Sequence, residues 1–279
     1  MNKKLLALYS LKFNPFVPDI PSSALFVPAP IESFCWKMQN QVGEGGFAMV
    51  SGEPGTGKSA TLRILTDRLG ALRDVCVGVL TRPQASVADF YREMGHLFNV
   101  ALCPHNRWNG AKVLREKWQA QIESSLYRPV LIVDEAQEMN TATLCELRLL
   151  SSTELDSRSI LSIVLAGDSR LTDRLHHPDL LPIASRIRIR LRTEPATSQQ
   201  LLDCLTHLLE KAGNLRLMTP EVKTTLCEHA AGNLRLLMNM ANELLVAAVH
   251  READQIDEKL FLETFDIEAA ARAAKRRKP

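Results

Sequence analysis

The segment Gly52-Glu53-Pro54-Gly55-Thr56-Gly57-Lys58-Ser59 constrains this chain more than any other feature, because it fits G-x-x-x-x-G-K-[ST] between an apolar run and an amphipathic one. Phe47 to Val50 has the character of a short buried strand, and Lys58 to Leu69 has helical periodicity. A glycine-rich loop in that position can curl its backbone N–H groups around phosphate oxygens, with the positive end of the following helix beneath them. Lys58 reaches the β- and γ-phosphates of a nucleotide such as ATP, and the Ser59 hydroxyl suits Mg2+. Gly52, Pro54, Gly55, Thr56, Gly57, Lys58, Ser59 and Ala60 are therefore the nucleotide-binding candidates. The competing explanation, a chance match in a glycine-rich turn, is opposed by the strand before it, the helix after it and a second motif downstream.

That second motif is Val130-Leu131-Ile132-Val133-Asp134-Glu135-Ala136-Gln137, an apolar strand ending in two carboxylates. Asp134 suits the magnesium shell and Glu135 suits polarisation of an attacking water. Taken alone, the same residues also read as an acidic turn after a buried strand. Further runs at Val75 to Leu80 and Ile160 to Ala166 have strand length and alternate with helical segments. This pattern predicts an α/β fold, a parallel sheet with helices on both faces.

From about Ser198 only helical patterns remain. Ser198 to Ala212 closes at Gly213, Thr219-Pro220-Glu221 opens a second helix that ends at Gly232, Leu234 to His250 is a third, and Asp257 opens a fourth. The expected organisation is an N-terminal arm and first helix over 1–45, an ATPase-type core over 46–196, a small all-helical lid over 197–270 and a basic tail over 271–279. Prolines at 15, 18, 21, 28 and 30 exclude a long helix in the arm and suggest an extended segment packed over a domain. The segment Arg186-Ile187-Arg188-Ile189-Arg190-Leu191-Arg192 alternates strictly, which sets four guanidiniums on one face of a strand.

Six dispersed cysteines without a C-x-x-C pair suit small reduced hydrophobes and a cytoplasmic setting. No apolar run approaches the roughly 18 residues of a membrane span. A formal net charge of +2 leaves nucleic-acid affinity to local patches. One is Lys275-Arg276-Arg277-Lys278. Another combines Arg82, in the loop after the second strand, with Arg107, Lys112 and Arg115 at a predicted helix start. The alternative for the latter is a solvated surface with Trp108 as a core anchor.

Taken together, Leu11-Lys12-Phe13-Asn14-Pro15-Phe16, the glycine-rich loop, Asp134-Glu135-Ala136-Gln137 and Gly232-Asn233-Leu234-Arg235 resemble the ExeA-related AAA+ ATPases over nearly the whole chain. That group includes a secretion protein and the ATPase regulators of transposition of the TnsC, TniB and Mu type. The resemblance implies ATP hydrolysis with Mg2+ and a homo-oligomeric ring or filament. It assigns a polar sensor to Asp168, which reads equally as a helix N-cap, and an arginine finger acting on a neighbouring subunit to Arg186, with Arg188 second. It also implies a γ-phosphate sensor at Arg235 and an adenine contact for Pro15 and Phe16. Secretion relatives of this kind extend beyond a segment of this size into a transmembrane helix and a wall-binding domain, whereas the transposition ATPases have this chain's extent. The main expectation is therefore a regulator that assembles on duplex DNA through backbone contacts from Arg82, Arg107, Lys112 and Arg115 and recruits a transposase. The alternatives are an envelope or secretion ATPase without a DNA role, and a replication initiator or helicase loader.

Overall fold

Four-residue runs of aliphatic side chains bounded by polar turns bury best as strands covered on both faces, and this is what they become. The computed structural model describes residues 2–102, 107–153 and 158–265. Its strands are β1 (Gly46–Gly52), β2 (Val75–Leu80), β3 (Arg128–Val133), the short β4 (Ser152–Thr153) and β5 (Arg158–Ser159), β6 (Ser162–Gly167) and β7 (Ile187–Thr193). β4 and β5 form a small antiparallel pair, while the other five make one parallel sheet in the order β2-β3-β6-β1-β7.

The named helices are α1 (Asn2–Leu8), α2 (Ala29–Gln41), α3 (Lys58–Gly70), α4 (Val87–Leu97), α5 (Arg107–Ser125), α6 (Thr141–Ser151), α7 (Ser169–Leu175), α8 (Leu181–Ala184), α9 (Ser198–Ala212), α10 (Pro220–Ala230) and α11 (Leu234–Arg251), and residues 258–265 are helical after Asp257, as the sequence predicts. Strand alternation sends Phe47, Met49, Leu131, Val133, Ile163 and Leu165 into one core with Phe90, Tyr91, Met94, Leu114, Trp118, Leu144 and Leu147. The intervening residues face the opposite side, where α3 packs on β1, β2 and β6. Because β1 lies between β6 and β7, the chain leaves β1 toward one side of the sheet and later passes it to reach the other. The carboxyl ends of β1, β3 and β6 meet where that order reverses, the place at which open α/β sheets take ligands.

Residues 27–194 form one compact unit, and residues 1–26 group with those from 195 onward in a second. The N-terminal stretch expected as one piece over 1–45 is thus divided, α2 going with the sheet and the arm with the helices. Apolar content decides this. Leu5, Tyr9, Leu11 and Phe16 are buried in the same cluster as Leu201, Leu205, Leu237 and Leu244. Hydrogen bonds fasten the arm, from Lys12 N to the Ala212 carbonyl at 2.8 Å, from the Tyr9 hydroxyl to the Ala253 carbonyl at 2.8 Å, and from Asn14 Nδ2 to Asn242 Oδ1 at 2.9 Å. The helix limits in this unit follow their caps. Thr197 and Gln200 make a reciprocal capping box for α9, Gly213 ends it at φ 100°, Thr219 caps α10 ahead of Pro220, and Asn233 caps α11. Each such cap contributes about 0.5–2 kcal/mol.

Cys35, Cys204 and Cys227 are buried free thiols, and Cys76 and Cys145 are half-buried ones. Burial pushes the Cys204 thiol up to about 12 and the Cys227 thiol up to about 11, so both remain protonated and inert. Among the described residues no helix is long and apolar enough to cross a membrane. The basic tail expected over 271–279 lies outside the described residues.

Candidate functional site

The loop between β1 and α3 is shaped by conformations that require glycine. Gly55 and Gly57 hold φ at 88° and 97°, and Gly57 is the residue from which α3 starts. Gly52 answers to a close approach instead, because a Cβ there would lie 2.0 Å from Thr193 Oγ1 and 2.4 Å from the Thr193 carbonyl. Thr193 terminates β7 and carries no motif that would single it out in the sequence. Its hydroxyl meets Thr56 Oγ1 at 2.7 Å, and Thr56 in turn donates to the Glu53 carbonyl at 2.7 Å. The edge strand thereby braces the loop, a contact between residues 137 positions apart that no local pattern encodes.

The Lys58 ammonium donates to the Gly52 and Glu53 carbonyls at 2.7 and 3.1 Å. Carbonyl partners satisfy its hydrogen bonds without neutralising it, so its charge remains to be matched by an anion in the loop. Ser59 Oγ donates to Asp134 Oδ2 at 3.4 Å. One hydroxyl and one carboxylate at this separation suit Mg2+, which takes few protein ligands and completes its shell with phosphates and water. No cluster of three or more His, Cys, Asp or Glu side chains that could hold a metal ion occurs among the described residues. Replacing Lys58 with alanine should weaken ATP binding about 10- to 100-fold, the worth of charge-assisted hydrogen bonds of about 1.5–3 kcal/mol. Equilibrium titration with a fluorescent ATP analogue measures it.

Asp134 and Glu135 follow β3 directly. Glu135 adopts a left-handed conformation, φ 52° and ψ 41°, which for a side chain of this kind costs on the order of 1–2 kcal/mol. The turn around it is held from several directions. Glu135 N donates to Asp134 Oδ1 at 2.9 Å, and Glu138 N to the Glu135 carbonyl at 2.9 Å. The Arg174 guanidinium, from α7, donates to the carbonyls of Gln137 and Met139. Gln137 donates to the Glu135 carboxylate and accepts from Asp168 N. Arg174 has no signal in the sequence, since its target is backbone.

Asp168 realises the N-cap geometry of its two readings. Its Oδ1 accepts from Arg170 N at 2.9 Å, and its carboxylate pairs with the Arg170 guanidinium, which holds it below the usual carboxylate range. Arg186 departs from expectation. β7 begins only at Ile187, so the exposed face carries Arg188, Arg190 and Arg192 and not four guanidiniums. A register shift against β1 near Arg188 interrupts the ladder there, and the half-buried Arg186 turns its guanidinium to the Pro182 carbonyl ahead of the strand. Arg188 pairs with Glu44 at 3.3 Å.

Pro15, Phe16 and Arg235 belong to the helical unit. Arg235 is exposed on the first turn of α11, after Gly232 at φ 84°, where a Cβ would meet Pro195 and Ala196 at under 3 Å. Pro15 and Phe16 are buried in that unit, Phe16 within its hydrophobic core. Of the basic residues, Arg82 is exposed in the loop after β2, and Lys112 and Arg115 share one face of α5 with Trp108. The side chain of Arg107 lies outside what is described. Trp108 is not a core anchor: it is 74% exposed with the Lys112 ammonium 5.6 Å from its ring centre, and Trp118 is the anchor at 0%. Core-facing positions on α5 recur at 114, 118 and 122, and Trp108 falls off that stripe.

Comparison with known proteins agrees with this geometry. Residues 41–175 match the family model described as an AAA domain. The chain's AAA domain is that of a P-loop ATPase, and the fold is AAA+. This ATPase is 29% identical over 216 residues to general secretion pathway protein A of Aeromonas hydrophila, covering 76% of this chain and 39% of that protein. The chain therefore spans well under half the length of the curated relative it matches. Among solved structures, Drosophila ORC bound to DNA superposes with a TM-score of 0.70 at 19% identity, covering 99% of this chain and 69% of that one. Cdc6p from Pyrobaculum aerophilum gives a TM-score of 0.67 at 15% identity, covering 87% and 67%. At these identities the structural matches speak for the fold alone.

Proposed function

We propose that this ATPase converts ATP binding and hydrolysis into the assembly and release of a protein complex of the secretion type, as a homo-oligomer that acts on protein partners. The observation that carries the ATP cycle is the convergence of Lys58, Ser59, Asp134 and Glu135 beyond the carboxyl ends of β1 and β3, the two strands that flank β6. Lys58 and the loop N–H groups bind the phosphates, Ser59 and Asp134 would hold a Mg2+ ion that would supply charge neutralisation there, and Glu135 takes the proton of the attacking water. Arg186 completes the site of the adjoining subunit, and Arg235 senses the γ-phosphate. The choice of secretion-type machinery over other uses of the cycle rests on the likeness to general secretion pathway protein A.

A second reading keeps the same chemistry but places the assembly on duplex DNA, where it regulates transposition by recruiting a transposase. It is favoured by the α5 face, where exposed Trp108 and Lys112 stand with Arg115, and by the fold shared with an ORC structure that is bound to DNA. Titrating labelled duplex DNA at low salt, with a slowly hydrolysed ATP analogue or without nucleotide, separates the two. The secretion-type reading expects no ATP-dependent binding. The DNA reading expects binding that requires nucleotide, and substitution of Lys112 and Arg115 should then lower the slope of log affinity against log salt by about 0.9 for each phosphate no longer neutralised.

A further inference from the structure

Glu135 can act on a water only if its carboxylate is held at a fixed place beyond the end of β3, and its own backbone does not ensure this. The residue sits in a strained left-handed turn, from which a three-bond side chain has several exits. What holds the carboxylate is Gln137, two residues on. Its Nε2 donates to Glu135 Oε2, and its Oε1 accepts from Asp168 N at 3.3 Å.

The direction of this amide follows from its surroundings. Asp168 N is a backbone donor and has nothing to accept with, so the oxygen of the Gln137 amide must face it. The nitrogen then faces Glu135 as an obligate donor to the carboxylate. Gln137 is only 6% exposed, which keeps water from competing for either end. Gly167, the last residue of β6, makes the seat possible, since a Cβ there would lie 2.5 Å from Gln137 Oε1. Arg174 fixes the backbone of the same residue through its carbonyl. The amide is thus built into the junction between the ends of β3 and β6.

We propose that Gln137 is a positioning residue for ATP hydrolysis: it occupies one oxygen of the Glu135 carboxylate, so that the other is presented to the attacking water. This rests on the reading of Glu135 as the base. No proton passes through Gln137, whose amide stays neutral and donates the same hydrogen bond throughout the cycle. A carboxylate freed of this hydrogen bond would sample orientations that do not meet the water, and a misplacement of about 1 Å can cost on the order of 10²-fold in rate. Binding of ATP, which depends on the loop and Lys58, would be untouched.

The test uses two variants of the whole chain. Gln137→Glu keeps an acceptor for Asp168 N but replaces the donor toward Glu135 with a second carboxylate, and Gln137→Met removes both ends at similar length. Both should lower kcat about 10- to 100-fold. KM for ATP should stay within about two-fold of wild type, the split that separates positioning from loss of binding. Combined with Glu135→Gln, neither should reduce turnover further, because the group it positions is already gone. Wild-type kcat in both variants overturns the proposal. So does a loss confined to Gln137→Met, which would make the hydrogen bond from Asp168 N the one that matters, and so does full additivity with Glu135→Gln. Retained turnover in Glu135→Gln alone would overturn the reading of Glu135, and this inference with it. A kcat loss in Glu135→Gln without one in either Gln137 variant overturns only the inference.

Discussion

Replacing Arg186 with alanine is expected to lower turnover by on the order of 10³-fold or more, with ATP affinity and the fold preserved. Its guanidinium is half-buried and donates to the Pro182 carbonyl just ahead of β7, an interaction within its own subunit that a neighbour's γ-phosphate can replace. A charge supplied by the adjoining subunit acts only where two subunits meet, so specific activity should rise with protein concentration. Mixing gives the sharper readout. Arg186→Ala and Glu135→Gln subunits, each inactive alone, should recover part of the activity together, because some junctions pair an intact Glu135 with an intact Arg186. A mixture that stays inactive while assembly persists would move the role to Arg188 or remove it.

Substitution of Glu135 by glutamine should lower kcat by about 10²–10⁴-fold, the usual worth of a positioned general base, while ATP remains bound. Size is conserved and the amide oxygen can still accept from Gln137, while Asp134, Lys58 and Ser59 keep their partners. Loss of proton acceptance alone should hold the protein in its ATP-bound, assembled state, visible by size-exclusion chromatography as a larger species than wild type under turnover. Single-turnover hydrolysis at the wild-type rate in this variant would show that another group activates the water. Together with the weaker binding expected for Lys58→Ala, the two effects separate the steps of the cycle: Lys58 bears on capture of the phosphates, and Glu135 and Arg186 on cleavage of the bond to the γ-phosphate.

Much of the architecture is legible in the residues themselves, and the legible part is local. Aliphatic runs such as Val130 to Val133 have a single good solution, a strand covered on both faces, and Thr197, Gly213, Thr219 and Asn233 mark helix ends by chemistry confined to one turn. The loop from Gly52 to Ser59 announces its ligand because backbone shape and glycine content are one property. Periodicity reports which face of an element is apolar, however, and not which element will cover it. The tertiary structure alone places the arm through Phe16 against the helical unit, sets Trp118 inside and Trp108 outside, and begins β7 after Arg186. It also brings Ser59 to Asp134 across 75 residues, Thr56 to Thr193 across 137, and Gln137 to both Glu135 and Asp168. Those pairings depend on the strand order β2-β3-β6-β1-β7 and on a register that matches Leu165 with both Met49 and Val133. Order and register are properties of the closed sheet, settled by how all the buried faces fit at once, and no single segment carries them.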